Sequence, residues 1–247
     1  MLFELIKKGV KLKYRRSYLG ILWTLIEPLL TTIVLTVIFG MLLGRGGESY
    51  PVYVMSGRLL YSFFSNATTG AMRSLRQNSG MMKKVYVPKY MYPLASVIFN
   101  YVIFLISMLV LLGLMLFEGV FPTLKIFACI LPLIILLVMA SGIGLILATM
   151  SVFFRDVEYL WSVALMMIMY ASAIFYYTDS IIGKDSSKAI IFNLNPLYAC
   201  IKVFRDGIFG GTIQWGLVAY SGIFAVVCFL IGLFMFYKKQ DEFILHI

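Results

Sequence analysis

Residues 126–153 read IFACILPLIILLVMASGIGLILATMSVF, an uninterrupted run without one charged side chain. A helix needs about 20 apolar residues to cross a hydrocarbon core of roughly 30 Å, because each residue adds about 1.5 Å. Three further runs reach that length: Leu22–Leu43, Leu94–Phe117 and Leu217–Phe236. The four runs predict an all-α membrane protein.

The composition supports this prediction and excludes a water-soluble fold. Hydrophobic residues make up 62% of the chain and charged residues 13%, against about 45–50% and about 25% in soluble domains. A soluble core could not bury so much apolar surface. The first apolar run is also longer than the roughly 7–15 residues of a signal-peptide core, so we expect it to remain as a span.

Two other segments are weaker candidates for spans. Residues 52–72 contain Arg58 and several hydroxyls, and residues 160–177 are apolar but short. A charge in a span is costly unless it faces protein or water, so both helices are expected inside the bundle. The sequence therefore predicts one transmembrane domain over residues 1–247, with six spans at 22–43, 52–72, 94–117, 126–153, 160–177 and 216–237.

The net charge of +10 is distributed unevenly. With six spans, 14 Lys and Arg residues fall on the side of the two termini and 6 on the other side. Because an excess of cations marks the cytoplasmic side, both termini are expected in the cytoplasm. The charge is thereby assigned to membrane topology, and no nucleic-acid partner is expected.

The amino-terminal residues 1–18 form a predicted amphipathic helix, with basic residues on one side. The apolar residues that share the other side, at about 100° per residue, are Leu2, Phe3, Ile6, Val10 and Tyr14. Such a helix lies in the membrane interface with its lysines toward anionic headgroups. Two roles fit: an anchor that fixes topology, or part of a docking surface for a cytoplasmic partner.

Residues 73–92 read RSLRQNSGMMKKVYVPKYMY, which is too polar to span and too hydrophobic for a simple linker. Methionines and aromatics beside lysines are typical of adaptable protein contacts, and Pro88 would end a short helix. A docking element for a partner is favoured over an amphipathic loop. On the opposite side, residues 178–211 contain short apolar runs that suggest re-entrant or interfacial helices at the exit of a pathway.

Several chemistries are missing from the sequence. It contains no phosphate-binding loop, dinucleotide fingerprint or metal-ligand pattern; its three cysteines are scattered singly, and His246 is its one histidine. The protein is therefore expected to be a transporter that does not itself supply the energy for transport, and not an enzyme. A rival hypothesis is an enzyme acting on lipid-linked sugar, with Asp156 and Glu158 as its carboxylates. A structural role for that cluster is favoured.

Aromatic residues make up 16% of the chain. Some fit the aromatic belt at the membrane interface. Others lie within predicted helices, where flat rings with polar tips could stack on sugar faces and line a path for a glycan. The candidates for this path are Tyr61, Phe63, Phe64, Trp161, Tyr170 and Phe175.

Residues 11–30 read KLKYRRSYLGILWTLIEPLL. This segment resembles the start of the permease subunits of type-2 ABC exporters for O-antigen, capsular polysaccharide and teichoic acid. The residues that carry the resemblance are Tyr14, Arg15, Ser17, Leu19, Gly20, Trp23, Pro28 and Leu29, together with Arg155 and Asp156 in a Phe-Arg-Asp-Val motif and with Asn195 and Pro196. Glu27 departs from the family, in which Asn often precedes this proline.

The resemblance implies a homodimer joined to two ATP-binding cassette subunits, which would hold ATP and Mg, and no cofactor in this chain. It also implies a central channel for a lipid-linked polysaccharide in the bacterial cytoplasmic membrane, with residues 1–18 as an interface helix, 73–92 as the coupling helix and 178–211 as gating helices. The residues assigned to coupling are Arg76, Met82, Lys83, Lys84, Val85, Tyr86 and Pro88. A type-2 ABC permease for a drug or a lipid shares this architecture and is the alternative.

Overall fold

The computed structural model describes residues 4, 6, 20–43, 49–82, 87–121, 124–177 and 192–243, and within these ranges every regular element is helical. One 3-10 turn, Gly20–Leu22, leads into α1, and another, Leu124–Cys129, leads into α5. In chain order the α-helices are α1 Trp23–Leu43, α2 Tyr50–Gln77, α3 Ser79–Met82, α4 Met91–Phe117, α5 Ile130–Phe153, α6 Val157–Ala171, α7 Pro196–Ile208 and α8 Trp215–Lys239. The predicted all-α class is confirmed for this part of the chain.

Four of the described helices are long and apolar enough to cross a membrane. They are Trp23–Gly40 in α1, Met91–Phe117, Lys125–Phe153 and Trp215–Lys239. These helices fall on four of the predicted spans, because each is built on a continuous apolar run of the required length. The other two predicted spans correspond to α2 and α6, which differ from the four in polarity and in length.

The helix α2 lies at the centre of the bundle. It has 28 residues, of which 17 are buried, and it packs against α1, α4, α5, α6 and α7. This position suits a polar helix, because its hydroxyls and charges can face protein instead of lipid. α2 continues to Gln77, so the first five residues of the predicted coupling segment 73–92 belong to its last turns.

α5 and α8 pack closely at two glycines. A Cβ atom on Gly142 would lie 2.5 Å from the backbone nitrogen of Phe229, and one on Gly232 would lie 2.6 Å from the carbonyl oxygen of Gly142. Small residues let membrane helices approach one another in this way. The contact fixes α8, the last described span, against the core.

α6 differs from the expectation that residues 160–177 form one span. It ends at Ala171 after 15 residues, about 22 Å, which is short of a roughly 30 Å core. The chain then turns, and Ala173 takes a φ of 49°, in the left-handed region that non-glycine residues seldom adopt. Phe175, predicted within this helix, lies beyond its end.

The predicted outer segment 178–211 contains one described helix, α7, of 13 residues. That length agrees with a helix too short to span. Residues 178–191 lie outside the described ranges, as do most of the predicted interface helix and Lys83, Lys84, Val85 and Tyr86 of the coupling segment.

The two ends of the bundle differ in charge. We call the end that carries Arg73, Arg76, Glu158 and Lys239 the basic side. A hydrophobic cluster closes it, in which Leu75 of α2, Val87, Tyr92 of α4 and Phe236 of α8 are buried together. Met81 and Met82 pack against this cluster, so α3 is held on the basic side.

Candidate functional site

A cavity of about 140 Å³ opens between α1, α2 and α4. Its lining residues are Trp23, Thr24, Glu27, Pro28 and Thr31 from α1, Arg58, Leu59, Ser62, Phe63 and Asn66 from α2, and Asn100, Ile103, Phe104 and Ser107 from α4. Asn100 and Ser107 lie roughly 14 and 24 Å along α4 from its first residue. The cavity is therefore a polar recess within the depth of a roughly 30 Å hydrocarbon core.

Two opposite charges line this cavity. Glu27 is exposed and Arg58 is half-buried, and within the described ranges neither side chain forms an ion pair or a hydrogen bond. A charge that faces lipid at mid-membrane costs about 2.5–3.5 kcal/mol on insertion scales. The two residues are therefore stable at this depth only where the cavity holds water, a polar ligand or another protein surface.

The α2 side of the cavity is a polar stripe. Arg58, Ser62 and Asn66 are spaced by four residues, so they lie above one another on one helix face. Asn66 is exposed and Ser62 is half-buried. This spacing was visible in the sequence, although the predicted path for a glycan contained only aromatic residues and did not include these three. It marks the α2 face that is not covered within one chain.

Hydrogen bonds fix the cavity's other two walls. The Ser107 hydroxyl on α4 lies 3.1 Å from the carbonyl oxygen of Thr24, which ties α1 to α4. Thr31 donates to the carbonyl oxygen of Glu27 at 2.8 Å, and Asn100 donates to the carbonyl oxygen of Ser96 at 2.8 Å. The amide oxygen of Asn100 accepts no hydrogen bond from the described residues.

The predicted aromatic residues do not share one surface. Phe63 lines the cavity and stacks on Phe104 with the ring centroids 5.0 Å apart. Phe64 is buried, and its ring centroid lies 6.2 Å from that of Trp161. Of these, Phe63 is placed where a ligand in the cavity could reach it.

The remaining three aromatic candidates lie on α2, on α6 and just after α6. Tyr61 is buried and donates to the carbonyl oxygen of Leu165 at 3.0 Å. Phe175 is buried and stacks on Phe39 of α1 at 4.9 Å. Tyr170 is 56% exposed. Tyr170 does not line the cavity that Phe63 lines.

A buried arginine lies on the side opposite the basic side. The sequence had indicated only that it is one of the cations on that side. Arg205 of α7 is 6% exposed. Its guanidinium donates to the carbonyl oxygens of Ala173 at 2.9 Å, Tyr53 at 2.9 Å and Ile174 at 3.1 Å. The guanidinium carbon also lies 3.4 Å from the centroid of the Tyr53 ring. We call this set the arginine lock.

The arginine lock explains why α6 ends early. The turn after α6 exposes carbonyl oxygens that have no helical partner, and a guanidinium with its fork of donors satisfies them. Gly57 of α2 makes room, because a Cβ atom there would lie 2.5 Å from Nη2 of Arg205. The lock therefore holds α2, α7 and the end of α6 together.

Asn195 and Pro196 begin α7. The Asn195 side chain caps the helix by accepting from the backbone N–H of Leu197 at 3.0 Å, and its amide donates to Ser172 at 2.9 Å. Pro196 occupies the first turn, where its missing N–H leaves no hydrogen bond unmade. The pair thus starts α7 and attaches it to the turn after α6.

On the basic side the charged motif after α5 divides into two parts. Arg155 and Asp156 are exposed. Glu158 accepts from Arg76 at 2.6 Å and from Arg73 at 3.3 Å. Arg76, which was predicted as a coupling residue, is in this ion pair. Arg155 and Asp156 of the family motif are free to meet a partner.

The predicted coupling residues that the structure describes lie beside this ion pair. Met82 packs in the hydrophobic cluster of the basic side, and Pro88 is exposed just before α4. Of the family-motif residues, Gly20 takes a φ of 49° in the turn before α1, and Trp23 is 43% exposed at the cavity. Tyr14, Arg15 and Ser17 lie outside the described ranges.

Within the described ranges no group of three or more His, Cys, Asp or Glu side chains could hold a metal ion. Two of the apolar spans, α1 and α4, line a charged recess together with α2, and the short helix α7 is held by the arginine lock. Fold and site together define a polytopic helical membrane protein with a polar recess between its helices.

The comparison with protein families makes this class specific. Residues 2–209 match the ABC-2 type transporter family, and the chain belongs to that family.

Similar proteins are named for the export of surface polysaccharides. The O-antigen export system permease protein RfbA of Klebsiella pneumoniae is 27% identical over 98% of this chain and 93% of its own length. The polysialic acid transport protein KpsM of Escherichia coli is 23% identical over 96% and 92%, respectively. The capsule polysaccharide export inner-membrane protein CtrC of Neisseria meningitidis serogroup B is 22% identical over 95% and 89%.

Proposed function

We propose that this chain is the membrane-spanning subunit of an ATP-driven exporter that moves a lipid-linked polysaccharide across the bacterial cytoplasmic membrane. The observation that carries the proposal is the charged cavity between α1, α2 and α4, with Glu27 and Arg58 unpaired within the described ranges. The names of the similar proteins direct it to O-antigen or capsule-like polymers.

The cavity has the chemistry that a glycan requires. Sugar hydroxyls both donate and accept hydrogen bonds, and the cavity offers a carboxylate, a guanidinium and the amides of Asn66 and Asn100. Trp23 and Phe63 add flat rings at its wall, on which a sugar face can stack. A drug or a lipid tail would be served better by an apolar recess, so the glycan is favoured.

The energy would come from separate ATP-binding subunits that hold ATP and Mg. The basic side would face the cytoplasm, since an excess of Lys and Arg marks that side, and both termini would lie there. The coupling contact would be formed by residues 73–92, including Lys83, Lys84, Val85 and Tyr86. Arg155 and Asp156 are exposed on the same side and would extend that contact.

A second copy of the chain would complete the pathway. Only 11% of the span in α1 is buried within one chain, and Glu27 of that helix would otherwise face lipid. α6 is equally uncovered on one side; its exposed residues are Tyr159, Leu160, Val163, Met166, Met167 and Tyr170. A homodimer that brings α1 and α6 of two copies together would enclose the cavity. α2 would be the fifth crossing helix, and α6 together with the turn that follows it would form the sixth crossing segment.

The proposal is tested in proteoliposomes that contain the chain and its ATP-binding subunit. Lipid-linked glycan extracted from the source cells is expected to stimulate ATP hydrolysis and to reach the far side of the membrane. Glu27→Gln with Arg58→Gln is expected to lower export about tenfold, the factor equivalent to about 1.4 kcal/mol or one hydrogen bond. Thr212→Ala, at an exposed position between α7 and α8 and outside the cavity, is the control.

Three results would count against the proposal. Stimulation by lipid without glycan would favour a lipid exporter. Unchanged export by the double variant would remove the cavity from the pathway. Absence of glycan movement in the unaltered complex, with ATP hydrolysis intact, would reject the substrate.

A further inference from the structure

α6 is attached to α2 by three polar contacts in a ladder. Glu158 forms its ion pair with Arg76 at 2.6 Å. One turn further, the Trp161 indole N–H donates to the Thr68 hydroxyl at 3.2 Å. Beyond that, the carbonyl oxygen of Leu165 accepts from Tyr61 at 3.0 Å. The two helices therefore run antiparallel, with one stripe of α6 on α2.

The first rung of this ladder is the charged one, and it lies on the basic side. Glu158 stands in the first turn of α6 and Arg76 in the last turn of α2. Each charge suits the dipole of its own helix end. The Glu158 side chain is 22% exposed and that of Arg76 is 35% exposed, so the pair is partly shielded from water and screened less than a surface pair.

Arg73 adds a second, weaker contact to the same carboxylate. Its Nε lies 3.3 Å from Glu158, and its side chain is 50% exposed. Beneath the charges, Val157 of α6 packs with Met72 of α2 and Leu147 of α5. The start of α6 is therefore bound to the end of α2 by both charge and packing.

The position of this contact in the chain gives it a mechanical consequence. α2 ends at Gln77, and the predicted coupling segment continues directly through α3 to residue 92. The side of α6 away from α2 is exposed along its length, from Tyr159 to Tyr170. The coupling segment is thus continuous with the end of α2, and Glu158 is the charged link from there to α6.

We propose that Glu158 is a positioning residue for transport, through which displacement of the basic end of α2 moves α6. The inference rests on the proposed ATP-driven export, because the force comes from the ATP-binding subunits. In this arrangement Arg76 supplies the main connection and Arg73 a secondary one. Breaking the link leaves ATP hydrolysis intact and disconnects it from α6.

The first test follows the movement of α6 and does not depend on the transported substrate. Spin labels are placed at Ser162→Cys on α6 and Tyr237→Cys on α8, both exposed positions, with the three native cysteines replaced by alanine. In the complex with the ATP-binding subunit, ATP with vanadate is expected to shift the label distance. Glu158→Gln is expected to abolish that shift. An equal shift with Glu158→Gln, or no shift in the chain with Glu158 intact, overturns the proposal.

The second test measures transport per ATP hydrolysed. Glu158→Gln is expected to lower this ratio about tenfold while ATP turnover stays within about twofold. Arg76→Gln is expected to lower the transport ratio as well, and the two changes together are expected to lower it no further than either alone, because both break one link. Glu242→Gln, which breaks an ion pair of 2.8 Å between Glu242 and Lys239 on the same side, is the matched control.

The possible outcomes separate this inference from the proposed function. An unchanged ratio in Glu158→Gln overturns the positioning role, as does a multiplicative loss in the double variant. If Glu158→Gln lowers the amount of assembled complex, Glu158→Asp is used, because it keeps the charge. Restored assembly of the complex together with a restored ratio of transport to ATP hydrolysis in Glu158→Asp supports the role. A label shift that Glu158→Gln abolishes, in a complex that moves no glycan, supports the positioning role and rejects the proposed substrate.

Discussion

Gly57→Ala is the substitution that tests the arginine lock most directly. The new Cβ atom would lie 2.5 Å from Nη2 of Arg205, so the guanidinium has to move. Nη2 donates to the carbonyl oxygens of Tyr53 and Ile174, and both bonds are lost when it moves. Each bond from a charged donor contributes about 1.5 kcal/mol or more, which gives a loss of about 3 kcal/mol.

An opposing effect reduces this loss. Alanine in a helix interior is favoured over glycine by about 1 kcal/mol. The net expectation for Gly57→Ala is therefore a free energy of unfolding lower by about 2 kcal/mol. Gly113→Ala in α4 is the matched control, since no atom of another part of the chain lies within 4 Å of a Cβ placed there. It is expected to gain about 1 kcal/mol from the same helix propensity.

The assay is unfolding by SDS titration in mixed micelles, which reports the free energy of unfolding for each variant. Arg205→Ala is expected to lose roughly 4–6 kcal/mol, because three carbonyl oxygens lose a charged donor. In that background Gly57→Ala no longer meets a guanidinium, and it is expected to become stabilising, as Gly113→Ala is. A Gly57→Ala chain as stable as Gly113→Ala, or an equal penalty with and without Arg205, would refute the lock.

Three further expectations follow from single contacts. Asn195→Ala removes the cap of α7 and is expected to cost about 1 kcal/mol in the same SDS titration; Asn195→Ser should recover most of it, and no difference between the two would contradict the capping role. Gly142→Leu is expected to separate α5 from α8 and prevent assembly of the folded chain, which size-exclusion chromatography would detect as aggregation. Burial raises the pKa of the Cys200 thiol to about 12, so maleimide at pH 8 should label it only after unfolding, because the thiolate is the reactive form; rapid labelling of the folded chain would show that α7 is not packed as described.

The long spans could be predicted from sequence because one physical requirement fixes them. Residues 126–153 and 94–117 differ from the observed helices by no more than a few residues at their ends. Any apolar run of that length has to become a helix in lipid, where backbone groups have no water to bind. Neither the partner helices nor the loops affect this outcome.

The end of α6 could not be predicted in the same way. The apolar run continues through Phe175 and beyond, so hydropathy gave no reason to stop at Ala171. The reason lies in Arg205, whose guanidinium binds the carbonyl oxygens of Ala173 and Ile174 from 32 and 31 residues away. A contact of this kind depends on tertiary packing, and a charge near a predicted loop carries no local sign of it.

The cavity was partly visible in the sequence. Arg58 was recognised as a costly charge inside a predicted span, and Glu27 was recognised as a departure from the family pattern. Their meeting in one recess depends on how α1 packs on α2 and α4, through contacts such as Ser107 with Thr24. The aromatic path was a weaker inference, since four of its six residues are buried within one chain, where rings serve packing as readily as binding.

α2 holds α6 at both ends, and this arrangement limits how a transport cycle can proceed. On the basic side the connection is the ion pair of Glu158 with Arg76, and on the other side it is the arginine lock, which joins Tyr53 of α2 to the turn after α6. The first connection is partly exposed to water and the second is buried. Breaking a buried guanidinium contact costs more than rearranging a partly exposed ion pair. In the proposed transport cycle we therefore expect the arginine lock to be the fixed end of α6, while the basic end of α6 follows α2 through the Glu158 contact.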